Sequence, residues 1–100
     1  MNITELKQLV AVGELESFSE VARRFYVSTP TVTRAMKRIE RCYGVELFVH
    51  GKNKVELNDA GRLAVAGARR ILQEIDASIA EVRAYDRSLR TIDLFSCAPA

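Results

Sequence analysis

Apolar residues recur at helical spacing in the first part of the chain and predict two short helices. The first covers residues 3–12, and Gly13 is predicted to end it. The second begins after Ser17, a good N-cap residue, which Glu20 follows at the spacing of a capping box. Its apolar positions end at residues 25–26, so the second helix is predicted to be short.

A third helix carries clear signals at both ends. Ser28 is a predicted N-cap, Pro30 falls in the first turn, where its missing N–H costs nothing, and Gly44 is predicted to end the helix. The helix therefore covers about residues 29–43. Its apolar side chains are spaced four, three and four apart and share one predicted buried face: Val32, Met36, Ile39 and Tyr43.

After the third helix the hydrophobic period changes from helical to alternating. Residues 45–49 and 55–57 both alternate, and the polar segment 50–54 between them has turn chemistry. This pattern predicts a two-stranded hairpin with a basic tip. The alternation of the first strand places together Val45, Leu47 and Val49.

A long fourth helix is predicted from Asn58, its N-cap, with Asp59 in the first turn. Its apolar residues recur three and four apart as far as about Leu89, which is a heptad pattern. The helix measures roughly 45 Å at 1.5 Å per residue, more than three short helices can cover. We therefore expect a second copy of the helix to pack on Val65, Ala68, Leu72, Ile75, Ile79 and Val82.

These patterns divide the chain into three parts. Residues 1–58 hold three helices and a hairpin, and residues 59–90 hold the long helix. In residues 91–100, Ile92 and Leu94 alternate as in a strand, and a single strand has no partner. We therefore expect residues 91–100 to begin a second domain that the chain truncates.

Charge is distributed unevenly, although the net charge of the 100 residues is only +2. The segment from Arg23 to Lys54 has eight Lys and Arg residues against Glu40 and Glu46, which gives +6 and leaves −4 for the rest. A basic centre between acidic ends favours a polyanion as the partner.

Composition excludes several function classes. One histidine, His50, and two distant cysteines, Cys42 and Cys97, cannot form a metal cluster or a disulfide framework, so we expect no metal and no cofactor. No catalytic pattern of nucleophile, base and acid is present, and an enzyme is not expected. The sequence has no apolar run long enough for a bilayer and no secretory signal, which favours the cytoplasm and no membrane partner.

Three helices and a basic hairpin predict a mainly α winged helix-turn-helix, followed by the long dimerisation helix. The third helix buries its apolar face, so its hydroxyls and cations face outward, and such a helix fits the major groove of duplex DNA. Serines at helix starts are placed to hold phosphates, and the hairpin tip to reach the minor groove or backbone. The candidate DNA-binding residues are Ser17, Ser19, Ser28, Thr29, Thr31, Thr33, Arg34, Lys37, Arg38, Arg41, His50, Lys52, Asn53 and Lys54.

Two other interpretations stay open from the residues alone. A basic helix face is often only a solvated surface. A winged domain can also serve as a protein-interaction or assembly module, with the long helix as its working surface. The basic residues from Arg34 to Arg41 and the basic hairpin argue against the assembly module, and a salt titration on duplex DNA separates the alternatives.

Five segments of the chain match one family in register over about residues 1–90. They are Phe18–Ala22, Val27–Arg34, Ile39–Glu40, Gly44–Phe48 and Leu57–Gly61. In these segments the chain resembles the N-terminal domain of LysR-type transcriptional regulators. Molybdate-responsive regulators have a similar DNA-binding domain and are a competing assignment. The sequence after Ala100 would distinguish the two families.

The resemblance implies a homodimer that binds double-stranded DNA, with dimer or tetramer open for a longer protein. It implies contacts from the recognition helix by Thr29, Pro30, Thr33 and Arg34, and a minor-groove contact from the wing at 52–54. It also implies a small-molecule effector bound only by a C-terminal domain. The chain departs from the family pattern at four positions: Glu16, Thr29, His50 and Asn53.

Overall fold

The structure is a computed structural model that describes residues 1–96, with side chains described over residues 1–89. Its elements in chain order are α1 (Ile3–Leu15), α2 (Phe18–Arg24), α3 (Thr29–Tyr43), β1 (Phe48–His50), β2 (Val55–Leu57) and α4 (Asp59–Ser96). Three helices and an antiparallel hairpin therefore precede one long helix, which is the winged helix-turn-helix that the sequence predicts.

The helix starts lie where the sequence places them. Ser17, Ser28 and Asn58 each accept a hydrogen bond from the backbone N–H three residues later, at 3.1, 3.3 and 2.7 Å. Each side chain satisfies a donor that the first helical turn leaves unpaired. Gly44 ends α3 in the left-handed conformation with φ +77°, as predicted.

The predicted end of α1 at Gly13 is wrong, because α1 continues to Leu15. Gly13 lies inside the helix, where an added Cβ would come within 3.1 Å of the Leu57 side chain. Glu16 ends the helix instead, at φ +54°, with its N–H bonded to the carbonyl of Val12 at 2.9 Å. The glycine permits close packing against β2 and does not break the helix.

The core lies between α1, α2, α3, the hairpin and the start of α4. Tyr43 is not part of it: its side chain is exposed, so the predicted apolar face of α3 stops at Ile39. The position is close to the end of the helix, where the neighbouring elements no longer cover it. The largest fully buried side chains are Leu9, Met36, Ile39, Leu47, Val12, Val21 and Val32.

The predicted alternation of residues 45–49 is wrong in one respect. Leu47 and Phe48 are both buried, whereas Val45 and Val49 are exposed. Leu47 precedes β1, and its N–H donates to the Glu40 carboxylate at 2.8 Å. The inward positions change phase between Leu47 and Phe48, because the strand begins only at Phe48.

The start of α4 lies against the hairpin at Gly61. A Cβ at this position would lie 2.1 Å from the carbonyl oxygen of Leu47. This distance is too short for any side chain, so only glycine fits here. Asn58 joins the same two elements, because its N–H donates to that carbonyl at 3.0 Å. The close approach of α4 to the hairpin is therefore a contact within one chain and not a contact between two copies.

The first two residues of the predicted dimer contact are not available to a second copy. Val65 and Ala68 are buried in the core of their own chain, where α4 packs on α1. Further along α4, Leu72 and Ile75 are half-buried, and Ile79 and Val82 are exposed together with Tyr85 and Leu89. The heptad pattern thus has two successive parts. The first part, at Val65 and Ala68, packs within the chain, and the second part, at Ile79 and Val82, is exposed.

The strand predicted around Ile92 and Leu94 is wrong, because α4 continues through Ser96. Its 38 residues correspond to about 57 Å at 1.5 Å per residue. The remainder of the predicted second-domain segment, residues 97–100, lies outside the described residues. In the part of the chain that the structure describes, no helix has both the length and the hydropathy needed to cross a membrane.

Candidate nucleic-acid interface

The outward face of α3 carries four basic side chains at positions 34, 37, 38 and 41, and all four are exposed. This spacing places them on one side of the helix. The opposite side carries Val32, Ala35, Met36 and Ile39, which are buried. The face that was predicted to be open to a duplex is therefore open.

Hydroxyl groups cluster in the first turn of the same helix. The Ser28 and Thr31 hydroxyl oxygens are 2.7 Å apart, and the Thr33 hydroxyl donates to the carbonyl of Thr29 at 3.1 Å. Thr29 and Pro30 are exposed, whereas Thr31 and Thr33 are half-buried. Because the proton of Thr33 is engaged, its hydroxyl is available as an acceptor and its methyl group for apolar contact.

The predicted phosphate-holding serines of α2 form a local pair. Ser17 caps the helix and its hydroxyl lies 3.0 Å from that of Ser19. Ser19 is exposed, and Ser17 is half-buried.

Ion pairs divide the eight cations between Arg23 and Lys54 into two groups. Four of them contact carboxylates: Arg23 (Glu20, 2.9 Å), Arg24 (Glu14, 3.6 Å), Arg38 (Glu5, 3.3 Å) and Lys54 (Glu56, 2.7 Å). The other four make no ion pair with any residue whose side chain the structure describes: Arg34, Lys37, Arg41 and Lys52. Counting charge along the sequence did not find this division, because all four of these acids lie outside the segment from Arg23 to Lys54.

Three of the cations without an ion pair lie on α3 and the fourth, Lys52, at the hairpin tip. An unpaired, exposed cation can hold a phosphate without first losing a carboxylate partner. The exposed face of α3 and the hairpin tip are therefore the strongest candidate for an anion-binding surface in the segment. His50 and Asn53 beside Lys52 are also exposed.

Lys54 differs from the other predicted wing contacts. Its Nζ also lies 3.6 Å from Glu16 Oε2, and the hydrogen bond and charge of Glu56, followed by the charge of Glu16, raise the pKa of Lys54 above its ordinary value. The prediction treated it as an available cation, and the structure shows it between two carboxylates.

Tyr26 is a feature of this surface that the sequence analysis missed. It lies in the turn between α2 and α3, is 95% exposed and has φ +58°. The bonds Val27 N to Ala22 O at 3.0 Å and Tyr26 N to Arg23 O at 3.3 Å form a Schellman motif, whose left-handed position favours glycine. A positive φ at an aromatic residue has no signal in the hydrophobic pattern.

The fold and this surface place the chain in the class of winged helix-turn-helix proteins. Residues 3–62 match the family model "Bacterial regulatory helix-turn-helix protein, lysR family". The match covers more than half of the chain, so the chain belongs to the LysR family.

Individual relatives agree with this assignment. The HTH-type transcriptional regulator TfdT of Cupriavidus pinatubonensis is 37% identical over 78 residues, which is 78% of this chain and 34% of TfdT. The crystal structure of the CbnR_DBD–DNA complex is 35% identical with a TM-score of 0.82, and the match covers 86% of this chain and 99% of that one. The crystal structure of CbnR, a LysR family transcriptional regulator, is 36% identical with a TM-score of 0.78, over 84% of this chain and 29% of CbnR.

The chain spans about a third of the length of the curated relatives that it matches. These relatives are named as transcriptional regulators, and residues 3–62 of this chain match the helix-turn-helix model of their family.

Proposed function

We propose that the chain binds double-stranded DNA sequence-specifically and serves transcriptional regulation. The observation that carries the proposal is the open side of α3, where Arg34, Lys37 and Arg41 have no carboxylate partner among residues 1–89. A solved relative at 35% identity, the CbnR_DBD–DNA complex, supports it. In this role α3 lies in the major groove, and the wing at 50–54 lies at the flanking minor groove or backbone.

The residues divide between reading bases and holding phosphates. Arg34, in the first half of α3, is placed to donate two hydrogen bonds to guanine, and Thr29, Pro30 and Thr33 near it are placed for base edges and thymine methyl groups. Lys37 and Arg41 lie further along the helix and are placed for phosphates. The remaining proposed phosphate contacts are Ser17, Ser19, Ser28, Thr31, Arg38, His50, Lys52 and Asn53.

We also propose that two chains pair through α4. The exposed apolar residues Ile79 and Val82, continued by half-buried Leu72 and Ile75, form a stripe that water would otherwise cover. A second copy carries the same stripe, so a symmetric pair buries both. Two α3 helices then reach major grooves separated by a whole number of helical turns.

The relatives are longer than this chain. A protein of their length has room for a further domain beyond α4, and a small-molecule effector would bind in that domain.

The role proposed for the chain is DNA binding and not catalysis. This role places the chain with the bacterial DNA in the cytoplasm.

Selection from a random pool of duplex DNA tests the proposal. The chain should enrich a motif with two related half-sites, and Arg34→Ala should lose about 1–3 kcal/mol on that motif and discriminate less between bases. Lys7→Ala removes one exposed cation of α1 outside the proposed interface and serves as the control. No enrichment, and no binding at low salt, would contradict the proposal and favour an assembly module that acts through the apolar stripe of α4.

A further inference from the structure

Lys54 lies between two acids that come from different parts of the fold. Its Nζ is 2.7 Å from Oε1 of Glu56 on β2 and 3.6 Å from Oε2 of Glu16, the residue that follows α1. One cation and two carboxylates give this group of three a net charge of −1. We call Glu16, Lys54 and Glu56 the wing-base cluster.

Glu16 also joins the wing to α1 through its backbone. Its carbonyl accepts a hydrogen bond from the N–H of Val55 at 2.9 Å, next to Lys54 in the chain. The residue holds a left-handed conformation, φ +54° and ψ 31°, which costs an L-amino acid about 1–2 kcal/mol. Glycine could make the same backbone bonds without that strain. The fold accounts for the backbone of Glu16, and the carboxylate is left to its contact with Lys54.

Lys54 and Glu56, the closer pair of the cluster, both stay charged around neutral pH. The hydrogen bond and charge of Lys54 lower the pKa of Glu56, and Glu56, followed by Glu16, raises the pKa of Lys54. A phosphate that approaches Lys54 therefore meets a cation already engaged, in a cluster whose net charge repels it.

We propose that Glu16 and Glu56 withhold Lys54 from the DNA backbone, so that Lys52 is the cation through which the wing contacts phosphate. The inference rests on the proposed DNA binding and concerns how strongly this wing takes part in it. Glu16 acts here as a positioning residue: it holds the Lys54 ammonium at the base of the wing, on the side of α1. Lys52, two residues away, makes no ion pair with any described side chain and stays available.

Affinity for duplex DNA as a function of salt tests this inference. The probe is the fluorescein-labelled duplex that the wild-type chain enriches from the random pool, and the protein is the 100-residue chain. Glu16→Gln leaves Lys54 with Glu56 alone and changes the net charge of the wing-base cluster from −1 to zero. Binding should therefore tighten about three- to tenfold at low salt, because the cluster no longer repels a phosphate that approaches Lys54. The slope of log affinity against log salt should become more negative by up to about 0.9, which is the value for one full added phosphate contact.

Two controls separate this effect from a general change of charge. Glu81→Gln makes the same substitution at an exposed position of α4, two residues from Ile79 and therefore toward the other side of the helix. It should leave the slope unchanged. In a Lys54→Gln background, Glu16→Gln should lose its gain, because the effect passes through Lys54.

The outcomes decide between the inference and the proposed function. The inference is overturned if Glu16→Gln binds no tighter than wild type, if its gain equals that of Glu81→Gln, or if the gain persists without Lys54. In each of these cases the wild-type chain still binds DNA and the proposed function stands. A wild-type chain that binds no duplex overturns both.

Discussion

Arg38 of α3 contacts the buried carboxylate of Glu5 on α1, with Nε 3.3 Å from Oε2. The Glu5 side chain is 8% exposed, whereas that of Arg38 is 49% exposed. Arg38 therefore joins two helices, although it stands on the same face as Arg34. The basic face of α3 thus includes one side chain that also stabilises the fold.

Arg38→Ala should lower the free energy of unfolding by about 1–2 kcal/mol, because it leaves the buried Glu5 carboxylate without its partner. Arg34 is exposed and makes no ion pair with the side chains that the structure describes, so Arg34→Ala should change it by less than about 0.5 kcal/mol. Urea denaturation of the two variants measures the difference. Equal stabilities would show that the Glu5 contact contributes nothing.

Gly61→Ala should destabilise the chain by about 1–3 kcal/mol or more, because the methyl group of the alanine would occupy the space of the Leu47 carbonyl. Gly67→Ala is the matched substitution within the same helix, and its nearest neighbour would be the Arg70 side chain at 3.7 Å. It should stabilise α4 by about 0.5–1 kcal/mol through helix propensity. Thermal unfolding checks the opposite signs, and a tolerated Gly61→Ala would contradict the close approach of α4 to the hairpin.

Local features of this fold were predictable from the sequence, and contacts between distant residues were not. Caps such as Ser28 act within one turn, so their spacing identifies them. The contact of Arg38 with Glu5 joins residues 33 positions apart and leaves no pattern in the sequence. The heptad spacing of α4 likewise does not distinguish Ala68, which packs within its own chain, from Ile79, which is exposed.

The same limit applies to the candidate interface. Helical spacing alone predicted that Arg34 and Lys37 face outward. It could not predict that Lys54 is engaged by Glu16, because only the folded chain brings α1 next to the wing.

The wing-base cluster should respond to acid in a defined direction. Lys54 lowers the pKa of Glu56 below its ordinary 4.5, so the stability that this contact contributes is fully present above 4.5. It is lost as the pH falls through the lowered pKa. An NMR titration of the Glu56 carboxyl should show a pKa below 4.5 in the wild type and a rise toward 4.5 in Lys54→Met. Identical titrations in the two proteins would contradict the contact.

The double variant Ile79→Glu/Val82→Glu should be monomeric at concentrations where the wild type forms a dimer, because charges would be buried in the proposed α4 pairing. Gln73→Glu adds charge at an exposed position one residue past Leu72, outside the stripe, and should stay dimeric. Sedimentation velocity distinguishes the two states. A double variant that remains a dimer would place the contact elsewhere on the chain.

The salt dependence of binding to a random-sequence duplex tests most directly whether the open face of α3 holds DNA. Four cations make no ion pair with a described side chain, namely Arg34, Lys37, Arg41 and Lys52, and they predict a log–log slope of about −3 to −4 for each chain bound. A random-sequence duplex offers Arg34 phosphates in place of a cognate guanine, so Arg34→Ala should reduce the magnitude of the slope by about 0.9. An affinity that does not change with salt, or no binding at low salt, would contradict the account.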